Sequence, residues 1–222
     1  MSGIQEWAFI NGLIKLQRPR IAIEIGVANG GMAHIIYSAL NENTQCTGVE
    51  SWYTGFDLWD THGVHGQFPQ MGSLEMADND LKLIGDRYAL VKIDTQKDQD
   101  TFRKELVNRF TLGIDFAFID GCHSYEGIKN DFYNVLPNMN PNGIIAFHDT
   151  AVIDGCREFI IDLRLLNKGY DISDFPYGTD ERNCGITLVT MPGFADVKID
   201  EICGSPSKPE EIYEKENNYR RL

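Results

Sequence analysis

Apolar residues at Ile4, Trp7, Ala8, Ile10, Leu13, Ile14 and Leu16 recur at helical spacing, and Pro19 closes that run. Residues 21–25 are apolar apart from Glu24 and read as a strand, after which helical spacing returns over 31–40. Further apolar runs predict strands at 45–49, 88–93, 115–120 and 144–147, with two more near 170–175 and 185–191. Between them the spacing predicts helices over about 73–84, 98–110, 126–136 and 152–167. Pro137, Pro141 and Gly143 make the turn into the strand at Ile144. Strands and helices in this alternation predict an α/β fold built on a doubly wound, mostly parallel sheet.

Two stretches fall outside the pattern. Residues 51–70 carry aromatics, two histidines (His62 and His65) and three glycines without periodicity, as a long functional loop does. The histidines there read as solvated rather than ligating. The terminal residues 208–222 are charged, with a weak helical tendency. At 222 residues the chain suits one domain with a large core, taken here as 1–192 with a C-terminal extension at 193–222.

A net charge of −13 argues against a general grip on nucleic acid or on an anionic membrane. No apolar run is long enough to span a bilayer, and the first residues lack the basic-then-apolar order of a signal peptide. The expectation is a cytoplasmic protein acting on a small molecule, with a homo-oligomer compatible. Five cysteines without close spacing make neither a disulfide framework nor a zinc cluster, and Cys122 reads as a small loop residue.

Chemistry starts where the strand 21–25 meets Gly26-Val-Ala-Asn-Gly-Gly31. Small residues let the chain bend sharply and a ligand come close, and the helix that follows offers free N–H groups. The dinucleotide pattern G-x-G-x-x-G would need a glycine where Ala28 stands, so close approach of a pyrophosphate is poorly served. Glu24 is likewise unwelcome beside a polyphosphate and acceptable beside a cation. A turn that merely joins strand to helix is the plain alternative.

In an open α/β sheet the ligand crevice lies outside the carboxyl ends of the strands. Acids recur there: Glu50-Ser51-Trp52 after the second predicted strand, Asp94-Thr95 after the third, Asp120 and His123 after the fourth, His148-Asp149-Thr150 after the fifth. Each singly has a structural reading as a helix cap. Together they would repel unless a cation or a hydroxyl-rich ligand sat among them. Glu50 is placed to accept from ribose hydroxyls, Trp52 to cover a base or ribose face, and Asp94 to read an adenine amino group. Asp120, His148 and Asp149 suit a divalent ion. They suit equally a general base, His123 or His148, with an orienting acid.

These residues resemble the class I S-adenosylmethionine-dependent methyltransferases, in the branch of small-molecule O-methyltransferases related to catechol, macrocin and cephalosporin-hydroxylase-like proteins. The resemblance covers residues 20–190 and is sharpest in D-G-x-H-x-Y-x-x-x-x-x-D at 120–131 and P-x-G-x-x-x-x-H-D-T at 141–150. It implies a seven-stranded sheet whose last strand is antiparallel. It also implies that the turn containing Glu24, Gly26, Ala28 and Gly30 holds the methionine end of the cofactor. By the same resemblance Glu50 lies on the ribose, and the strand-end residues Ser51, Asp94, Thr95 and Asp120 are taken as cofactor-binding beside it. In metal-dependent relatives, acids corresponding to Asp120 and Asp149 bind Mg²⁺ or another divalent ion, and His148 stands where some carry a further acid. The acceptor is then a hydroxyl of a sugar, polyketide or phenol, chosen by loops 51–70 and 176–184. Two other readings stay open: a non-catalytic protein that keeps the pocket, and a short-chain-type NAD(P) oxidoreductase suggested by the Y-x-x-x-K spacing of Tyr125 and Lys129.

Overall fold

The computed structural model describes residues 4–59, 72–166, 168–175 and 184–193. In chain order these form α1 (Ile4–Gln17), β1 (Ile21–Ile25), α2 (Gly31–Thr47), β2 (Trp52–Asp57), α3 (Leu74–Lys82), β3 (Tyr88–Lys92), α4 (Gln99–Arg109) and β4 (Ile114–Ile119). They continue as α5 (Tyr125–Val135), β5 (Met139–His148), α6 (Asp154–Leu166), β6 (Asp171–Phe175) and β7 (Ile186–Thr190). The strands join one sheet in the order β3-β2-β1-β4-β5-β7-β6. From β3 to β5 every pairing is parallel, and β7 enters antiparallel between β5 and β6. The expected seven-stranded, doubly wound sheet with an antiparallel last strand is the one observed.

Helices cover both faces, so the central strands send alternate side chains into two cores. Ile23, Ile25, Ala117, Ile119, Ile145 and Phe147 pack with Phe102, Leu106, Phe132 and Phe159 of α4, α5 and α6. Ala22, Tyr53, Phe116, Phe118, Ile144 and Ala146 pack with Ile10, Ile14, Ile36, Leu40 and Leu81 of α1, α2 and α3. Parity then decides where the polar residues go. Glu24 follows Ala22 by two, Asp57 follows Tyr53 by four, Asp120 follows Phe118 by two and His148 follows Ala146 by two. All four therefore point to the α1–α2–α3 side, at the same end of the sheet.

The second strand is the main departure from the sequence reading. No strand occupies 45–49, because α2 runs on through the polar residues to Thr47. Asn43 is buried there and donates to the Ile14 carbonyl at 2.9 Å, and Gly48 closes the helix in the left-handed region. The strand lies at Trp52–Asp57 instead, inside the stretch taken as loop. Gly55 obscured it, and Gly55 has a steric reason: a Cβ would lie 2.6 Å from Val27 Cγ2 and 2.9 Å from the Tyr53 hydroxyl. A smaller difference concerns β5, which already begins at Met139, so that Pro141–Gly143 form an irregularity between the Ile114↔Met139 and Phe116↔Ile144 pairs.

Residues 60–71, 176–183 and 194–222 lie outside the described residues, and with them His62, His65, most of both expected acceptor loops and the C-terminal extension. Among the described residues no helix is long and apolar enough to cross a membrane. Gly55→Ala should destabilise the fold by about 1–3 kcal/mol through overpacking between β1 and β2, measured by chemical denaturation.

Candidate active site at the carboxyl edge of the sheet

β1 lies at the point where strand order reverses, and its exit is the glycine turn. Gly26 has φ +92°, and a Cβ on it would overlap the Asp120 carbonyl, so the turn is pressed directly against the end of β4. Gly30 has φ +90° and lets α3 approach, with a Cβ meeting Ala77 Cα at 3.0 Å. Ala28 also adopts a left-handed conformation, φ +51°, which a non-glycine residue holds only when its surroundings enforce it. The end of β2 enforces it. The Ala28 N–H donates to Asp57 Oδ2 at 2.8 Å, and the Trp59 indole Nε1 donates to the Ala28 carbonyl at 2.9 Å. Asp57 Oδ1 accepts in turn from the Trp59 backbone N–H at 2.7 Å.

Asp57 and Trp59 thus occupy the positions for which Glu50 and Trp52 were expected. Glu50 and Ser51 precede β2, and a six-residue strand at about 3.3 Å per residue puts roughly 20 Å between them and the crevice. Glu50 is exposed, 3.9 Å from Arg87, and Ser51 is buried with its N–H donating to Thr44 Oγ1. Trp52 is exposed at the same far end. The slip came from reading the tail of a helix as a strand. An acid ending the Tyr53–Phe56 alternation was the signal that would have found Asp57.

Beneath the turn, Glu24 is buried and accepts from the Tyr53 hydroxyl at 2.5 Å. Burial, with the charges of Asp120 and Asp57 adding, pushes its carboxyl up to about 8. After β3, Asp94 shapes its own loop: Oδ1 accepts from the backbone N–H groups of Gln96 and Lys97, each at 3.1 Å. Thr95 is buried beside it.

The ends of β4 and β5 bring together four of the expected residues. His123 Nε2 lies 3.1 Å from Asp120 Oδ1 and 3.1 Å from Asp149 Oδ2. His148 Nδ1 lies 3.0 Å from Asp120 Oδ1 and 3.3 Å from Asp149 Oδ1. Asp149 has φ +59°, which turns its carboxylate back toward both rings. Exposure separates the two imidazoles, since the His123 side chain is 40% exposed and that of His148 only 5%. Hydrogen bonds from its ring to Asp120 and Asp149 raise His123 to about 10. Burial opposes charge on His148, but the three surrounding carboxylates outweigh it and hold its pKa far above the ordinary imidazole range. Burial likewise opposes ionisation of Asp120 and Asp149, and the imidazoles overcome it, holding both below the usual carboxylate range.

The third carboxylate is Glu6 of α1, whose Oε2 lies 3.3 Å from His148 Nε2. It went unnoticed because it sits among apolar residues, although Glu6, Ile10 and Ile14 are the buried row of that helix at four-residue spacing. Cys184, at the entry to β7, bonds Asp149 through its side chain, and burial raises its thiol to about 11. Cys122 is a loop residue, with Sγ 3.2 Å from Ser124 Oγ. Tyr125 donates its hydroxyl to Asp162 of α6 at 2.7 Å, while Lys129 Nζ stands 5.3 Å from its ring centroid. That geometry points the tyrosine hydroxyl at α6 and removes the reason for the oxidoreductase reading.

Comparison with known proteins bears on the family and the fold. A family model described as a methyltransferase domain matches residues 23–150. The O-methyltransferase TomG of Streptomyces achromogenes, solved with S-adenosylmethionine, has a TM-score of 0.66 at 15% identity, covering 87% of this chain and 82% of that one. An O-methyltransferase of Bacillus cereus, solved with S-adenosylhomocysteine, has a TM-score of 0.64 at 14% identity, covering 86% and 82%. At such identities these two show the fold. The uncharacterised protein y4gI of Sinorhizobium fredii is 27% identical over 172 residues, 74% of this chain, and the chain spans only 17% of that protein's length.

Because Glu24 is neutral in the fold up to about pH 8 and ionised in the unfolded chain above about 4.5, it lowers stability progressively as pH rises through that window. Glu24→Gln should flatten this fall and raise stability at pH 8 by roughly 1–3 kcal/mol. Denaturation midpoints of both proteins measured from pH 5 to 9 check it.

Proposed function

Since the chain belongs to the methyltransferase-domain family, we propose that it transfers a methyl group from S-adenosylmethionine to a hydroxyl oxygen of a small molecule. One observation carries the reading: the glycine turn and the imidazole–carboxylate cluster share a wall, with Gly26 against the Asp120 carbonyl. A sulfonium seated on the turn presents its methyl beside His123. The residues fit that cofactor chemically. The turn offers Gly26, left-handed Ala28 and Gly30 without a phosphate-binding pattern. Asp57, in place of Glu50, takes the ribose hydroxyls from the end of β2. The loop Asp94–Thr95 borders the base.

Methyl transfer is a displacement at carbon: the acceptor oxygen forms the new C–O bond as the S–C bond breaks and the thioether leaves. The hydroxyl proton must go to a base. His123 is the exposed imidazole of the pair, so it receives that proton, while Asp120 and Asp149 orient its ring and balance the charge it acquires. His148, enclosed by three carboxylates, orients those two acids rather than meeting the acceptor.

Donor atoms of Asp120, His123 and Asp149 all lie within 4.8 Å of one another and fit a divalent cation such as Mg²⁺. The expected set with His148 fits less well, because both of its ring nitrogens already face carboxylates. A cation held by Asp120, His123 and Asp149 would supply acidification and orientation of the acceptor hydroxyl.

Asp57→Ala should weaken S-adenosylhomocysteine binding by roughly 1.5–3 kcal/mol, whereas Glu50→Ala leaves it unchanged, both by calorimetry. Equal effects would reject the ribose assignment. With labelled S-adenosylmethionine and a mixed pool of phenols and sugars, His123→Gln should cut methyl incorporation by about 10²–10⁴-fold. The wild-type rate should rise with pH from 7 toward 10, as His123 loses its proton. Incorporation that survives excess EDTA keeps His123 as base. Loss in EDTA, restored by Mg²⁺, makes it a metal ligand, and no incorporation under any condition favours a non-catalytic pocket.

A further inference from the structure

The motif at 120–131 ends in an acid that the chemistry above leaves unused. Asp131 lies on α5 and is fully buried. One of its oxygens, Oδ1, accepts from Gln96 Nε2 at 2.9 Å, and the Thr95 side chain bonds the same carboxyl. Two further contacts fix the Gln96 amide on α5: Nε2 donates to the Gly127 carbonyl at 3.3 Å, and Oε1 accepts from Asn130 Nδ2 at 3.3 Å. The second oxygen, Asp131 Oδ2, is buried without a hydrogen-bond partner and would lie 3.3 Å from a Cβ on Gly121. One carboxyl therefore ties the loop after β3 to α5 through Gln96 and Thr95, while its second oxygen faces Gly121 of the loop after β4.

An acid in this position works against the fold. Burial, with the charge of Asp94 adding, raises its pKa to about 7, and an unpartnered buried oxygen is a further cost. The packing around it would be served as well by an apolar side chain of similar volume. What an apolar side chain could not supply is an acceptor for Gln96 and Thr95 together. Without it, Gln96 keeps only its two 3.3 Å contacts to Gly127 and Asn130 of α5.

We propose that Asp131 is a positioning residue for the adenine subsite, fixing the loop at Thr95–Gln96 on α5. The inference rests on the S-adenosylmethionine reading, in which the loop Asp94–Thr95 borders the base. Asp131 touches neither cofactor nor acceptor. Its effect falls on affinity for the adenosine portion.

Calorimetry with S-adenosylhomocysteine and with adenosine tests this on wild type, Asp131→Leu, Asp131→Asn and Gln96→Ala, beside denaturation of each without ligand. In Asp131→Leu, stability should stay at or above wild type while both ligands bind at least tenfold more weakly. Asp131→Asn keeps an acceptor oxygen toward Gln96 and should recover affinity to within about threefold of wild type. Should Asp131→Leu fail to fold, Gln96→Ala, which cuts the same hydrogen bond from the loop side, must show the affinity loss by itself. Unchanged affinity in a folded Asp131→Leu or in Gln96→Ala overturns the proposal, as does a loss that merely follows lowered stability. A wild type that binds neither ligand rejects the cofactor reading and this inference with it, whereas tight wild-type binding beside an indifferent Asp131→Leu rejects the inference alone.

Discussion

In a sheet covered on both faces, a polar side chain has nowhere to go except the ends of the strands, and the two-residue alternation decides which face it meets there. Glu24, Asp57, Asp120 and His148 share one parity relative to the apolar residues that precede them, so four separate strands deliver their polar ends to one side. The parallel register does the rest, pairing Ile25 with Phe56 and with Ile119, and Ile119 with Phe147. No loop has to search for the site. Its walls are set once the strands pair, and the turns need only let the chain out at the right angle.

That concentration of acids is tolerable only because cations were built in with them. Asp120 and Asp149 lie among two imidazoles, and His148 is held from behind by Glu6. Removal of one member would leave its neighbours buried and uncompensated, so these residues should behave as a unit rather than additively. Glu24 lies outside this neutralised group. Its nearest polar partner is the Tyr53 hydroxyl, which lowers the cost of ionisation less than burial raises it.

Much of this was legible in the chain. Strand-ending acids at Asp94, Asp120 and Asp149, the glycine turn and both histidines were readable because each follows an apolar run of clear period. Glu50 was misplaced for a physical reason: α2 ends in polar residues whose partners, such as the Ile14 carbonyl for Asn43, are remote in sequence. β2 hid behind Gly55, a residue of low strand propensity required by the packing of Val27 and Tyr53. Glu6 could not be recognised as part of the site from local pattern, since its partner His148 lies 142 positions away. Ala28, read as a missing glycine, keeps a glycine-like backbone through a bond to Asp57 and one from Trp59 that only the folded chain supplies.

The contact between Glu6 and His148 also bears on where this chain can be cut or recombined. The stretch that matches the family model runs from residue 23 to 150 and contains both histidines and both strand-ending aspartates of the cluster. It excludes α1, and so excludes the carboxylate on the far side of the His148 ring. The boundary drawn by similarity passes through an electrostatic unit. A chimera that grafts the matched stretch onto a foreign first helix would inherit both histidines and both aspartates without the third carboxylate that faces His148.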